Sequence, residues 1–459
     1  MKKLRVVGSG LAGAEAAWQL ARHGLTVELI DIKPGRMTPA HSSIYPAELV
    51  CSNSLKSDDP HTASGLLKRE MRQLDSIVLA AADASSVPAG SALAVDRSAF
   101  AKEVKRILDQ TGLIIWREEE FTSLPADDEN IEDDCLTLIA TGPLTTDALM
   151  QSMAREWGDM LHFFDAAAPI VSEESLDPDH YFAASRYGKG SADYLNCPLD
   201  KETYLAFREA LIAADKAEIK EFDRKVFEHC QPIEELAERG EDTMRFGPLR
   251  PVGLEDPRTR QTPYAVLQLR REQSSGGMYN LVGCQTRMTF KAQREVFGII
   301  PALRKAEYLR YGVMHRNHYI KGPQVLTWGN RVKSQQTLFL AGQLTGVEGY
   351  MESAASGLIT ARQMALIAAG MPAEECKVLA LPNTTMLGAL TNYVISSDSV
   401  DFQPMNANFG LLEYAEGYKA KRKRERKEQA ILMSDHFMGE WLDLYNSYCL
   451  RYGLDVERS

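Results

Sequence analysis

Two cysteines stand in surroundings that suit thiol chemistry. Cys51 lies in Glu48-Leu-Val-Cys-Ser-Asn-Ser-Leu-Lys-Ser57, close to Lys56, whose ammonium would favour a thiolate. Cys230 lies in Phe227-Glu-His-Cys-Gln-Pro-Ile-Glu-Glu235, at an expected helix boundary beside Pro232, where a helix amino end acidifies a thiol. Each is a candidate nucleophile, and each could instead be a buried, inert thiol. Cys135, Cys197, Cys284, Cys376 and Cys449 carry no comparable neighbours. His315 and His318 flank Arg316-Asn317, and Tyr350 opens a long run of small residues. Either histidine could be functional, and Tyr350 could sit beside a bound ring or simply cap its helix. Packing is the alternative for all three.

Such groups need a scaffold, and the amino-terminal residues describe one. Leu4 to Val7 read as an apolar strand, Gly8-Ser9-Gly10-Leu11-Ala12-Gly13 as a glycine loop, and Ala14 to His23 as a helix stopped by Gly24. A second strand, Thr26 to Ile30, runs into Asp31. Gly8 suits a tight turn, Gly10 the approach of a pyrophosphate, Gly13 close helix–strand packing, and Asp31 the hydroxyls of a ribose. The helix amino end would face the phosphates. This predicts dinucleotide binding, with an S-adenosylmethionine domain as the rival. A late segment separates the two. Thr337-Leu-Phe-Leu-Ala-Gly342 reads as a buried strand, followed by Gln343-Leu-Thr-Gly-Val-Glu-Gly349 and a helix from Tyr350 to Ala369. A distant strand ending in Ala-Gly, with the next helix aimed at a ring, is how FAD sites close; Gly342, Gln343 and Gly349 are the candidates there. No second GxGxxG occurs, so no full nicotinamide domain is expected.

The expected fold class is α/β: a Rossmann-like FAD-binding domain built from 1–185 and 297–459, with a smaller α/β domain inserted at 186–296. Lys201 to Phe227 reads as helix, and Tyr264 to Leu269 and Met278 to Val282 as strands. The chain has 459 residues, 44% hydrophobic and 25% charged, with a formal net charge of -11. Any polyanion must therefore meet a local basic patch, and Lys419 to Lys427 is the one dense basic run, otherwise a solvated helix face. Dispersed cysteines without ligand spacing argue against metal and for reduced thiols. With no signal peptide and no apolar run near ~20 residues, a cytoplasmic protein is expected.

Together these segments resemble the folate- and FAD-dependent tRNA (uracil-54, C5) methyltransferases, which belong to the glucose-inhibited-division-A-like flavoproteins. The resemblance rests on GSGLAGAEAAWQLA, ELVCSNSLKS, SALAVDR, YAVLQLR, RYGVMHRN, FEHCQPIEELAERGEDTMRFGPLRPVGLEDP and LFLAGQLTGVEGYMESAASGL, and its motifs span nearly the whole chain. Asp31 departs from the usual Glu, and Cys284 from an expected aromatic. The resemblance implies methylation of uridine 54 in the tRNA T loop, with 5,10-methylenetetrahydrofolate as carbon donor, methylene passing through flavin N5, and NADPH or NADH as reductant. It implies Cys230 as the nucleophile at uracil C6 and Cys51 as base or methylene trap on the flavin side, the two roles being exchangeable. Tyr350 and His315 would stack or move protons. The same chemistry on ribosomal RNA, or flavin-dependent RNA binding without catalysis, are the alternatives.

Overall fold

The computed structural model describes residues 2–38, 41–125, 135–158, 161–166, 168–188, 192–216, 231–272, 277–312, 314–396, 402–418 and 422–456. Its centre is a seven-stranded sheet. In spatial order the strands are Leu326–Thr327, Arg331–Val332, Leu338–Leu340, Cys135–Ile139, Lys3–Val7, Val27–Asp31 and Ile114–Glu118. The last five are mutually parallel and the first two form an antiparallel edge. Register brings Val7 opposite both Ile30 and Ile139, and Ile139 opposite Leu340. The glycine loop, Asp31 and the late Ala341-Gly342 turn therefore leave the sheet at one end, its carboxyl edge.

Helix Leu11–Arg22 starts directly after Gly10, three residues before the expected Ala14, so Leu11, Ala12 and Gly13 form its first turn. It crosses the long helix Tyr350–Ala368 at very short range. A Cβ on Gly357 would sit 2.1 Å from the Ala12 carbonyl oxygen, and one on Gly13 would sit 1.8 Å from that of Gly8. The alanines Ala14, Ala16 and Ala17 are wholly buried, and from Met351 to Ala368 only Ser353 escapes burial. A helix apolar all round is a core helix, and that is where this one lies. Glu352, Ser356, Thr360 and Gln363 are buried polar exceptions, and the largest is Arg362. It donates to Gln19 Oε1 at 3.1 Å and the Leu74 carbonyl at 3.1 Å, and lies over the Tyr445 ring.

A second, antiparallel sheet has the order Phe182–Ala183, Tyr194–Leu199, Ala265–Arg271, Met278–Leu281, Ile170–Ser172, Tyr308–Arg310. Its strands reach beyond 186–296 at both ends. One face packs Leu195, Leu267, Leu269 and Leu281 against Phe207, Ile233 and Phe297; Cys284 is fully buried in the same core. The other face carries Asn196, Gln268, Arg270 and Asn280, the polar alternation of a half-buried sheet. Residues 201–213 are helical, whereas 217–230 lie outside the described residues. Strands Leu161–Ala166 and Met314–Tyr319 pair antiparallel, so the chain enters and leaves the second sheet along one two-stranded ribbon.

Glu70 ties three helices together: it accepts from the Met386 and Leu387 N–H groups at 2.7 Å each and from Ser434 Oγ at 2.6 Å. Burial pushes its carboxyl up to about 7 despite these bonds. A raised folded value adds stability below the unfolded value of 4.5 and loses it as pH climbs through 7. Urea midpoints for the wild type should therefore drop between about pH 5 and about pH 8, and Glu70→Gln should flatten that slope. Gly357→Ala should cost about 1–3 kcal/mol in chemical denaturation, because the methyl meets backbone, not a movable side chain.

Candidate functional site

A cavity of about 410 Å³ runs along the carboxyl edge of the parallel sheet. Gly8, Gly10, Leu11, Ala12 and Asp31 line one end; Cys51, Ser52, Gly342, Gln343, Gly349 and Tyr350 line it further on. The sequence expectation for these residues is thus one continuous surface, although they come from chain segments far apart.

Each wall has a local cause. Gly8 has φ +96, and a Cβ there would lie 2.6 Å from the Ala140 carbonyl oxygen. Gly10 caps the first helix without a side-chain hydrogen bond, no acid occupies that helix's first turn, and a Cβ on Gly10 would meet nothing within 4 Å. The amino end is left bare for an anion. Asp31 Oδ2 accepts from the Ser9 N–H at 2.7 Å and Ser9 Oγ at 2.6 Å, while Oδ1 accepts from the Lys33 N–H at 2.9 Å. The carboxylate thereby fixes the glycine loop and lines the cavity at the same time. At the far end Gly342 has φ +76, with its would-be Cβ 3.0 Å from that of Ala12. Gly349 has φ +122, and a Cβ there would collide with the Glu352 carboxylate. The cavity is elongated, with Gly10 and Asp31 among its lining residues together with Gly342, Gln343 and Gly349.

Tyr350 locks the thiol loop. Its phenol oxygen accepts from the Cys51 N–H at 2.7 Å and the Ser52 N–H at 3.2 Å. Burial, with Cys51 nearby, holds this phenol well above its ordinary value, so it stays protonated. Arg270 clamps the same loop from the second sheet: Nη2 donates to Ser52 Oγ at 2.6 Å and Nε to Asn53 Oδ1 at 2.8 Å. Arg97 donates to the Leu49 carbonyl at 3.0 Å and pairs with Glu272 at 2.8 Å. Arg310 feels both Cys51 and Tyr350; burial and then Arg97 depress its guanidinium. These three arginines are what residue-by-residue reading missed. They sit at the ends of SALAVDR and YAVLQLR and at the start of RYGVMHRN, so the signal was present only as segments.

Lys56 lines the same cavity as Cys51 and also pairs with the late helix. Its ammonium lies 3.2 Å from Glu352 Oε1, a carboxylate only 1% exposed that draws the lysine toward the late helix. Cys230 lies outside the described residues. The chain resumes at Gln231, and the Ile233 N–H donates to the carbonyl of Gln285, itself a cavity-lining residue. Of His315 only the backbone is described: it lies opposite Asp165 in the ribbon, in a strand packed beside Gly142–Leu144 and Gly342–Thr345. In the basic run, 419–421 lie outside the described residues, Arg422 pairs with Glu425 and Arg426 is exposed, as on a solvated helix face. No group of three potential metal ligands, and no helix long and apolar enough to cross a membrane, occurs among the described residues.

Comparison with known proteins agrees with this geometry. A family model described as glucose inhibited division protein A matches residues 3–372. A Lactobacillus acidophilus protein named methylenetetrahydrofolate--tRNA-(uracil-5-)-methyltransferase TrmFO is 48% identical over 448 residues, covering 96% of this chain and all of its own. A protein of the same name from Desulforudis audaxviator is 50% identical over 439 residues, covering 95% and 97%. Among solved structures, Aquifex aeolicus GidA superposes with a TM-score of 0.67 at 15% identity, over 96% of this chain and 73% of that one. The chain therefore belongs to the glucose-inhibited division protein A family and groups within it with TrmFO.

Proposed function

We propose that this chain is a methylenetetrahydrofolate-dependent tRNA (uracil-5-)-methyltransferase that works with FAD and a reduced nicotinamide, acting on uridine 54 of the T loop. The observation that carries the reading is the meeting, in one cavity, of the dinucleotide cradle with a cysteine loop pinned by Tyr350 and Arg270. The names of relatives that match this chain end to end support the same activity.

Uracil C5 is a poor nucleophile until a thiolate adds to C6, after which the enolate carbon can attack a one-carbon electrophile. FAD, when bound, supplies the electrons and the one-carbon relay. The protein's own part is to hold and orient. Gly8 to Gly13 receive the pyrophosphate, Asp31 the ribose, and Gly342, Gln343 and Gly349 the ring. Tyr350 fixes the backbone of Cys51, and Arg310 acts on it as a neighbouring positive charge, as suits a group that works as an anion. We assign the C6 addition to Cys230 and the flavin-side role of base or methylene trap to Cys51. His315, in the ribbon beside the cavity, is assigned proton transfer. NADPH or NADH regenerates the reduced cofactor without a second dinucleotide fold.

Purified protein given unmodified tRNA, labelled methylenetetrahydrofolate and NADPH should label tRNA, with ribosomal RNA unlabelled. Label from S-adenosylmethionine alone would sink the folate route. Cys230→Ala should abolish the covalent complex with 5-fluorouracil-containing RNA; its persistence would exchange the two thiol roles. Cys51→Ala should slow methylation by roughly 10²–10⁴-fold with FAD still bound. Tyr350→Phe strands two N–H groups, so the thermal midpoint should fall and methylation drop about 10-fold or more while FAD content holds.

A further inference from the structure

Tyr187 is an aromatic residue in a backbone conformation that aromatics avoid, with φ 60 and ψ 19. Its N–H donates to the Gly253 carbonyl at 2.8 Å. A Cβ built on Gly253 would lie 2.9, 2.9 and 3.0 Å from ring atoms Cε1, Cζ and Cε2. Near-equal distances mean that the ring lies face-on over that glycine, where only hydrogen fits. One ring face is thus covered by backbone and the other is open, leaving the residue 64% exposed. The strained turn presents a flat aromatic surface to solvent on a rigid support.

Cations border it. Arg186 is immobilised: Nη1 donates to the Val252 carbonyl at 2.7 Å, and Nε and Nη2 donate to Gln268 Oε1 at 3.1 and 2.9 Å. Arg250 acts on Arg186 as a like charge, and no carboxylate figures among the charges acting on Arg186. Arg250 is exposed, and its guanidinium has no hydrogen bond or ion pair among the described residues. The nearby carboxylate of Asp256 is taken by Arg258 at 2.7 Å. In a chain of net charge -11, two neighbouring guanidiniums close to an open ring are a local exception.

The shelf also connects to the thiol loop. Gln268, which holds Arg186, and Arg270, which holds Ser52 and Asn53, are two positions apart on one face of strand Ala265–Arg271. That places their backbone positions on the order of 7 Å apart along the strand. One face of one strand therefore runs from the neighbour of Cys51 to the open ring.

We propose that Tyr187 and Arg250 form a nucleotide shelf for the RNA substrate, on which an unpaired base flanking the target uridine stacks against Tyr187 while its phosphate meets Arg250. Stacking on an aromatic face with a cation on the backbone is how unpaired RNA is held. This inference rests on the methyltransferase reading and adds to it the residues that seat the RNA loop.

The test uses full-length, FAD-loaded protein and unmodified tRNA, with affinity measured by filter binding across a potassium chloride series. Tyr187→Ala should weaken binding about tenfold. Tyr187→Phe, which keeps the ring, should stay within about twofold. Arg250→Ala should weaken binding and reduce the salt slope by about one. FAD content, melting temperature and NADPH-driven flavin reduction should match wild type in all three. Wild-type affinity in Tyr187→Ala, or an equal loss in Tyr187→Phe, would overturn the shelf. So would a Tyr187→Ala protein that keeps its tRNA affinity but changes its elution as an oligomer, which would make this a contact between copies. Wild-type protein that binds no tRNA would instead remove the methyltransferase reading, and the shelf with it.

Discussion

The closeness of two helices governs this molecule. Leu11–Arg22 and Tyr350–Ala368 are separated by more than three hundred positions in the chain, yet Gly357 meets the Ala12 carbonyl where no methyl group fits. Because both helices begin at the same edge of the same sheet, their contact sets the spacing between the two amino ends. Both amino ends border the one cavity, so a packing distance sets the separation of its two ends. The apolar cluster that contains both helices then spreads into Phe100, Leu108 and Trp441, which hold the crossing from outside.

A second sheet of opposite character meets this rigid cradle. Parallel strands buried on both faces make the cradle; antiparallel strands with one polar face hold the cysteine loop beside it. Arg270 lies on that polar face. Arg270 reaches Ser52 and Asn53, and Arg97 reaches back across the boundary to Glu272. Charges between the units therefore arrive already paired or hydrogen-bonded, the condition under which buried guanidiniums are tolerated. Tyr350 works in the same sense, accepting from two N–H groups of that loop.

How much of this could be read in the chain follows from distance and length. The glycine loop, Asp31 and the Ala341-Gly342 turn were legible because each motif is local and its backbone demands are strict. The helix start was misjudged by one turn because Gly13, which reads as loop, is needed inside the helix to clear the Gly8 carbonyl. The limits of the second sheet were not legible. Ile170–Ser172 and Tyr308–Arg310 are three residues each, too short to display alternation, and each is defined only by its partner.

The paired ribbon of Leu161–Ala166 and Met314–Tyr319 gives the second unit adjacent points of departure and return. A unit attached in that way is a cassette. Its loops can lengthen, shorten or change sequence between one lineage and another without altering the register of the parallel sheet, because both attachment strands pair with each other. The cavity edge and the surface of the second unit are thereby free to change independently within one chain.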